Sequence, residues 1–143
     1  MKIQLVAENF DPWREIARYQ SEQMMLHAKP GATAVFVGSL RDFNQDAAVA
    51  GMTLEHYPGM TEKHLRRVGD EAAARWPLLD MLVMHRYGEI QLNAAIVLVA
   101  VWSMHRDAAF AACRYIIDEL KTRAPFWKHE TLHTGRRWVK QEK

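Results

Sequence analysis

Nine successive apolar residues, Ala94 to Trp102, place no polar side chain at either parity of an extended chain. A strand with that pattern needs cover on both faces, so it belongs in the middle of a sheet with packed layers on either side. The run is also far too short to cross a bilayer as a helix. The N-terminal residues Met1 to Phe10 lack the apolar core of a secretory signal, so the expectation is a cytoplasmic protein without a membrane anchor.

Other segments fit around this strand. Ile3 to Val6 reads as a short strand, and Asp11-Pro12 as the cap and first residue of a helix. Trp13, Ile16, Ala17, Gln20 and Met24 follow helical spacing up to the turn at Pro30-Gly31. Ala32 to Val37 reads as a buried strand, followed by a polar loop from Gly38 to Asp46. Val49 to Tyr57 alternates as a strand, with Ala50, Met52, Leu54 and His56 on one face. After Pro58-Gly59, Thr61 and Glu62 open a helix with Leu65, Val68, Ala72 and Trp76 facing inward, and Pro77 stops it. Leu78 to Arg86 is a second long strand, linked to the central one by a hairpin-like connection over Tyr87 to Asn93. A last helix carries Phe110, Cys113, Ile117 and Leu120 on one stripe, with Ser103 or Asp107 as its cap. Pro125 ends it and pushes Ala124 towards an extended backbone.

At 143 residues, the chain is expected to form one domain over 1–143, with a strand and helix in 1–30 and a basic segment in 121–143. Residues 1–120 carry 12 Lys and Arg against 15 Asp and Glu, whereas residues 121–143 carry 7 against 2. So local a positive field suits an anionic ligand or an acidic tail, not a long nucleic acid. The densest stretch, Lys121 to Glu130, sets three cations and two aromatic rings around Pro125. Two structural readings stand beside the functional one: cations at a helix C-terminus, and Phe126 and Trp127 as core.

The single cysteine, Cys113, can form no internal disulfide and no multi-cysteine zinc site. Set in an apolar stripe, it reads as a small buried hydrophobe, so any sulfur chemistry would import its sulfur. No glycine-rich phosphate loop and no nucleophile elbow is present. His129-Glu130-Thr131-Leu132-His133 spells a zinc-hydrolase motif, but that chemistry needs a helix and a third ligand. Arg41 lies on a loop at a strand end, and His105 and Arg106 lie where a strand's carboxyl end meets a helix's amino end, a place that favours anions. Lysines with cationic neighbours can be tuned for proton transfer, which singles out Lys121 and Lys128.

Four blocks occur in order: Leu54-Glu55-His56-Tyr57-Pro58-Gly59-Met60; His85-Arg86-Tyr87-Gly88-Glu89; Ser103-Met104-His105-Arg106 with Ala109-Phe110; and Leu120 to Lys128. Together they resemble the large, catalytic subunit of molybdopterin synthase, over about Gly31 to Val139. The resemblance implies an α+β fold of the α/β-hammerhead type, an antiparallel-rich sheet with packed helices, and a homodimer within a heterotetramer. It implies a sulfurtransferase that converts cyclic pyranopterin monophosphate to molybdopterin, with no cofactor and no nucleic acid. Sulfur would come from the C-terminal Gly-Gly thiocarboxylate of a small ubiquitin-like partner. Lys121 and Lys128 would be catalytic. Ser39, Leu40, Arg41, His105, Arg106, His129 and Glu130 would line the substrate site with them, His105 and Arg106 reaching in from the second protomer. The chain departs from the family's usual pattern at Ser39, His129 and Asn93-Ala94. A basic binding module for an acidic partner or nucleic acid, and a zinc hydrolase, are the competing readings.

Overall fold

The computed structural model describes residues 1–44, 47–132 and 135–139. In order, its elements are β1 (Lys2–Val6), α1 (Pro12–Glu22), β2 (Ala32–Ser39), β3 (Phe43–Asn44), β4 (Ala47–His56), α2 (Met60–Arg75), β5 (Leu78–Arg86), β6 (Gly88–Gln91), β7 (Ala95–Ser103), α3 (Arg106–Thr122), β8 (Phe126–Leu132) and β9 (Gly135–Val139). The class is α+β, as expected. One sheet runs β1-β5-β7-β2 and is antiparallel except for the parallel β1–β5 pair. The second, wholly antiparallel, runs β3-β4-β8-β9, with β6 also on β4.

The apolar run is explained by two cores. Leu98, Ala100 and Trp102 of β7 join Leu82, Met84, Tyr19 and Leu26 on the α1 side. Val97, Val99 and Val101 point the other way, among Val68, Ala72, Ala112 and Ile116 of α2 and α3. Strand alternation thus divides one sequence between two layers. The α1 layer is tied down by the Tyr19 hydroxyl, 3.0 Å from Asp80, and by Trp102 Nε1, which donates to Gln20 Oε1 at 3.1 Å. Asp11 caps α1 by accepting from the backbone N–H groups of Trp13 and Arg14.

Some local expectations are corrected. Gly38 and Ser39 finish β2, and Phe43–Asn44 is a short strand, so the expected loop is partly ordered into sheet. A bulge between Val49 and Gly51 resets the alternation of β4, burying Val49 with Met52 and Leu54 and turning Ala50 outward. The link expected to be a hairpin contains β6, which leaves β5 after Tyr87 and pairs with β4. Gly88, with φ +86°, makes that change of sheet possible. Asn93, at φ 69°, takes the left-handed turn before β7. Trp13, Met24 and Phe110 are exposed. On α1, Tyr19 holds the inward position instead, and α1 ends at Glu22 before Met24. On α3, the buried stripe is Ala109, Ala112, Cys113, Ile116, Ile117 and Leu120, and Phe110 stands about 100° from Ala109 at its margin. His105 is the N-cap of α3 without a side-chain cap bond, while Ser103 Oγ donates to the His105 carbonyl.

Candidate active site

The last turn of α3 and the first half of β8 face one another across a cavity of about 60 Å³. Ile117, Leu120 and Lys121 share one helix face through their i, i+3, i+4 spacing, and Phe126 and Lys128 share one face of β8 through alternation. Gly38 and Ser39 of β2, Leu54 of β4, His85 of β5, and Ile96 and Val97 of β7 complete the wall. The result is an apolar cleft with two lysines, a histidine and a serine on its lining.

The turn that joins the two lysine-bearing elements is fixed from outside. The fully buried Thr61 donates its hydroxyl to the Pro125 carbonyl at 3.1 Å and accepts from the Tyr57 N–H at 3.0 Å. Pro125 ends the helix, and the hydroxyl of a different helix holds its carbonyl in place. Phe126 is buried and stacks on His85, with ring centroids 4.0 Å apart and planes 14° apart. Trp127 points to the opposite face, edge-on to Tyr57. Phe126 is therefore the aromatic that shapes the cleft, and Trp127 is not part of its lining.

His85 Nδ1 lies 2.8 Å from the Arg86 carbonyl oxygen. Burial, reinforced by the charges of Lys128 and Lys121, pushes the imidazole pKa down to about 4, while the carbonyl bond opposes that shift. Sequence reasoning had placed His85 only within a block of family resemblance. Its signal was available in the pattern: a titratable residue at a core parity of an otherwise apolar strand, two positions after Val83.

The other sequence-derived candidates separate. Ser39 borders the cleft with the two lysines. Leu40 is buried in the core, and its backbone bonds to Ala94 and Asn93. Arg41 is exposed, with a guanidinium nitrogen 3.5 Å from Asn44 Oδ1. His105 and Arg106 are exposed at the amino end of α3, and Arg106 stands about 23 Å along the helix from Lys121. His129 lies on the face of β8 opposite Lys128, stacked on Trp138 at 4.6 Å, which takes it out of the cleft. Glu130 shares the parity of Lys128 but is buried and engaged: Asn44 Nδ2 donates to it at 2.9 Å and Arg137 Nε at 3.0 Å. His133 lies outside the described residues. The helix that a zinc-hydrolase motif requires is a strand here, and among the described residues no group of three or more His, Cys, Asp or Glu is placed to hold a metal ion.

The family model described as "MoaE protein" matches residues 7–123. The molybdopterin synthase catalytic subunit of Pseudomonas aeruginosa is 47% identical over 139 residues, covering 97% of this chain and 90% of its own. The chain belongs to the MoaE family. Among solved structures of similar proteins, the molybdopterin biosynthesis MoaE protein of Burkholderia ambifaria is 44% identical with a TM-score of 0.80, over 99% of this chain and 90% of that one. A protein-protein complex of subunits 1 and 2 of the molybdopterin-converting factor from Helicobacter pylori is 20% identical with a TM-score of 0.77, over 99% and 92%, and shares the fold. The MoaE match ends at Arg123, so it takes in Lys121 and stops short of β8. The alignment with the Pseudomonas protein leaves out too few residues to miss Lys128.

Proposed function

We propose that this MoaE-family chain is the catalytic subunit of a sulfurtransferase of molybdenum cofactor biosynthesis, and that its chemistry takes place in the cleft between Lys121 and Lys128. One observation carries the assignment: two lysines from different elements border a single narrow, apolar-walled cleft on whose lining, among the described residues, no carboxylate stands. Such a site favours an anion, because low-dielectric walls strengthen the field of each ammonium group.

The size of the cleft supports a division of labour. At about 60 Å³ it suits a slender chain end, not a fused-ring pterin. The C-terminal thiocarboxylate of a small ubiquitin-like partner is such an end, and its Gly-Gly terminus has no side chains to exclude. The cyclic pyranopterin monophosphate would lie at the mouth. Lys121 engages the thiocarboxylate and takes part in proton transfer, and Lys128 stabilises the negative charge that develops as sulfur is delivered. The chain's own thiol is a poor alternative donor, since burial holds Cys113 up at about 11.

Arg41 and Arg106 suit a phosphate by charge and by fork-like donor geometry, and His105 can add a ring N–H donor. The length of α3 keeps His105 and Arg106 away from the cleft of their own chain, which supports delivery by the second protomer of a homodimer. The resulting assembly is a heterotetramer with two partner subunits, in the cytoplasm. The Helicobacter complex of two converting-factor subunits is a parallel for the partner.

The test is reconstitution: purified protein, thiocarboxylated partner and cyclic pyranopterin monophosphate are expected to yield molybdopterin. Salt-sensitive nucleic-acid binding without any sulfur transfer would overturn the proposal in favour of a basic binding module.

A further inference from the structure

The segment that leaves β4 holds the corner between α3 and β8. Pro58-Gly59 reverses the chain, with Gly59 at φ +84°, and the Gly59 N–H donates to Glu62 Oε1 at 3.1 Å as α2 begins. Tyr57 and Thr61 then bond to each other twice. The Thr61 N–H donates to the Tyr57 carbonyl at 2.9 Å, and the Tyr57 N–H donates to Thr61 Oγ1 at 3.0 Å. A backbone N–H cannot accept and a carbonyl oxygen cannot donate, so the one hydroxyl hydrogen of Thr61 is committed to the Pro125 carbonyl, 3.1 Å away. Thr61 is fully buried, so water does not compete for that bond.

Pro125 needs such an anchor. The Phe126 N–H donates to the Ala124 carbonyl at 2.9 Å, a three-residue turn centred on the proline. The pyrrolidine ring fixes φ of Pro125 and leaves ψ free, and ψ is the angle that orients its carbonyl and aims β8 away from α3. Pairing with β4, from His56 opposite Phe126 to Leu54 opposite Lys128, sets the register of β8. The Thr61 hydroxyl ties the corner itself to α2, which shares its core with α3 through Val68, Ala72, Ala112 and Ile116.

We propose that Thr61 is a positioning residue of this reaction, whose hydroxyl fixes the corner at Pro125 and through it the relation between Lys121, four residues before, and Lys128, three residues after. The inference rests on the function proposed above and adds to it a residue that is not on the cleft lining. Whatever the two ammonium groups bind, both are carried on the backbone that this hydroxyl anchors.

Thr61→Val keeps the shape of the side chain without its hydroxyl, Thr61→Ala makes the same cut with less bulk and stands in if the valine variant does not fold, and Thr61→Ser keeps the hydroxyl. In assays well below each melting temperature, kcat of the reconstituted complex is expected to fall about 10- to 100-fold in the Val and Ala variants, towards the scale for reacting groups misplaced by about 1 Å. KM for the cyclic precursor should change little, since the residues assigned to its phosphate lie on other elements. Thr61→Ser should stay close to the wild type. Tyr19→Phe, which removes a hydroxyl bond to Asp80 on the α1 side, should keep its kcat whatever it loses in melting temperature. Carbon-13 NMR of lysine Cε-labelled protein, with signals assigned from Lys121→Ala and Lys128→Ala, is expected to show the Lys121 or Lys128 resonance displaced in Thr61→Val and restored in Thr61→Ser. Wild-type kcat in Thr61→Val would overturn the proposal, as would a loss of kcat in Thr61→Ser or Tyr19→Phe as large as that in Thr61→Val, or lysine resonances that stay in place. If the wild-type complex transfers no sulfur, the functional reading fails, and the lysine resonances alone then decide whether the Thr61 hydroxyl sets the two lysines.

Discussion

Lys121 in the last turn of α3 and Lys128 in the middle of β8 border the same cavity, although one projects from a helix and the other from a strand. Their convergence depends on the turn at Pro125, which Thr61 of α2 holds by its carbonyl. Removal of either ammonium group should therefore act on the chemistry and spare the fold.

Lys121→Ala is expected to lower kcat by about 10²- to 10³-fold, the range for losing one preorganised electrostatic group. Its circular dichroism spectrum and melting temperature should match the wild type. Full turnover in that variant would remove Lys121 from the mechanism.

Glu130 is buried and binds Asn44 and Arg137, so it fastens β8 to β3 and β9. Glu130→Ala would leave the Arg137 guanidinium partly buried without its carboxylate. We expect a loss of about 2–3 kcal/mol in urea denaturation, near the lower end for broken buried pairs because Arg137 keeps some contact with water.

Protonation of His85 is opposed in the folded state, where its pKa is about 4 against an ordinary 6.5. Between those values the unfolded chain binds a proton that the folded chain refuses, so stability falls as pH drops from about 6.5 towards 4. The shift corresponds to at most about 3 kcal/mol. His64, also shifted down by burial and by Arg123 and Arg67, acts in the same direction. Denaturant titrations at pH 7, 6 and 5 should show a shallower fall for His85→Phe than for the wild type; identical slopes would contradict the assignment.

The buried Cys113 thiol, pushed up to about 11, should resist thiol reagents in the native protein at pH 8 and react once urea unfolds it. Rapid labelling of the native state would show that this part of the α3 core opens readily. Sulfur transfer by Cys113→Ala should equal that of the wild type.

A Cβ on Gly31 would stand 2.2 Å from the Met104 carbonyl oxygen, where the start of β2 passes the end of β7. The Gly31 N–H also donates to the Ser103 carbonyl at 3.0 Å. Gly31→Ala is expected to cost roughly 1–3 kcal/mol, since rigid backbone must give way. A calorimetric melting temperature within a degree of the wild type would refute the close approach.

What the sequence determined by itself was mostly local. Asp11-Pro12 opening α1, Pro77 and Pro125 closing α2 and α3, and the doubly apolar β7 all follow from caps, breakers and periodicity, which act over a few residues. Family resemblance marked Lys121 and Lys128 as a pair. Alternation alone could have turned His129 away from Lys128, once β8 was read as a strand and not as the end of a helix. Other features needed the tertiary structure. The bulge in β4 is set by its pairing with β8, and β6 exists because β4 offers it an edge. His85 enters the site only because β5 and β8 come together, stacking two rings 41 positions apart in the chain. Likewise, the rigid length of α3 separates Arg106 from Lys121, and sequence order gives no measure of that distance. Short-range chemistry chose the elements; packing between distant strands and helices decided which polar side chains share the cleft.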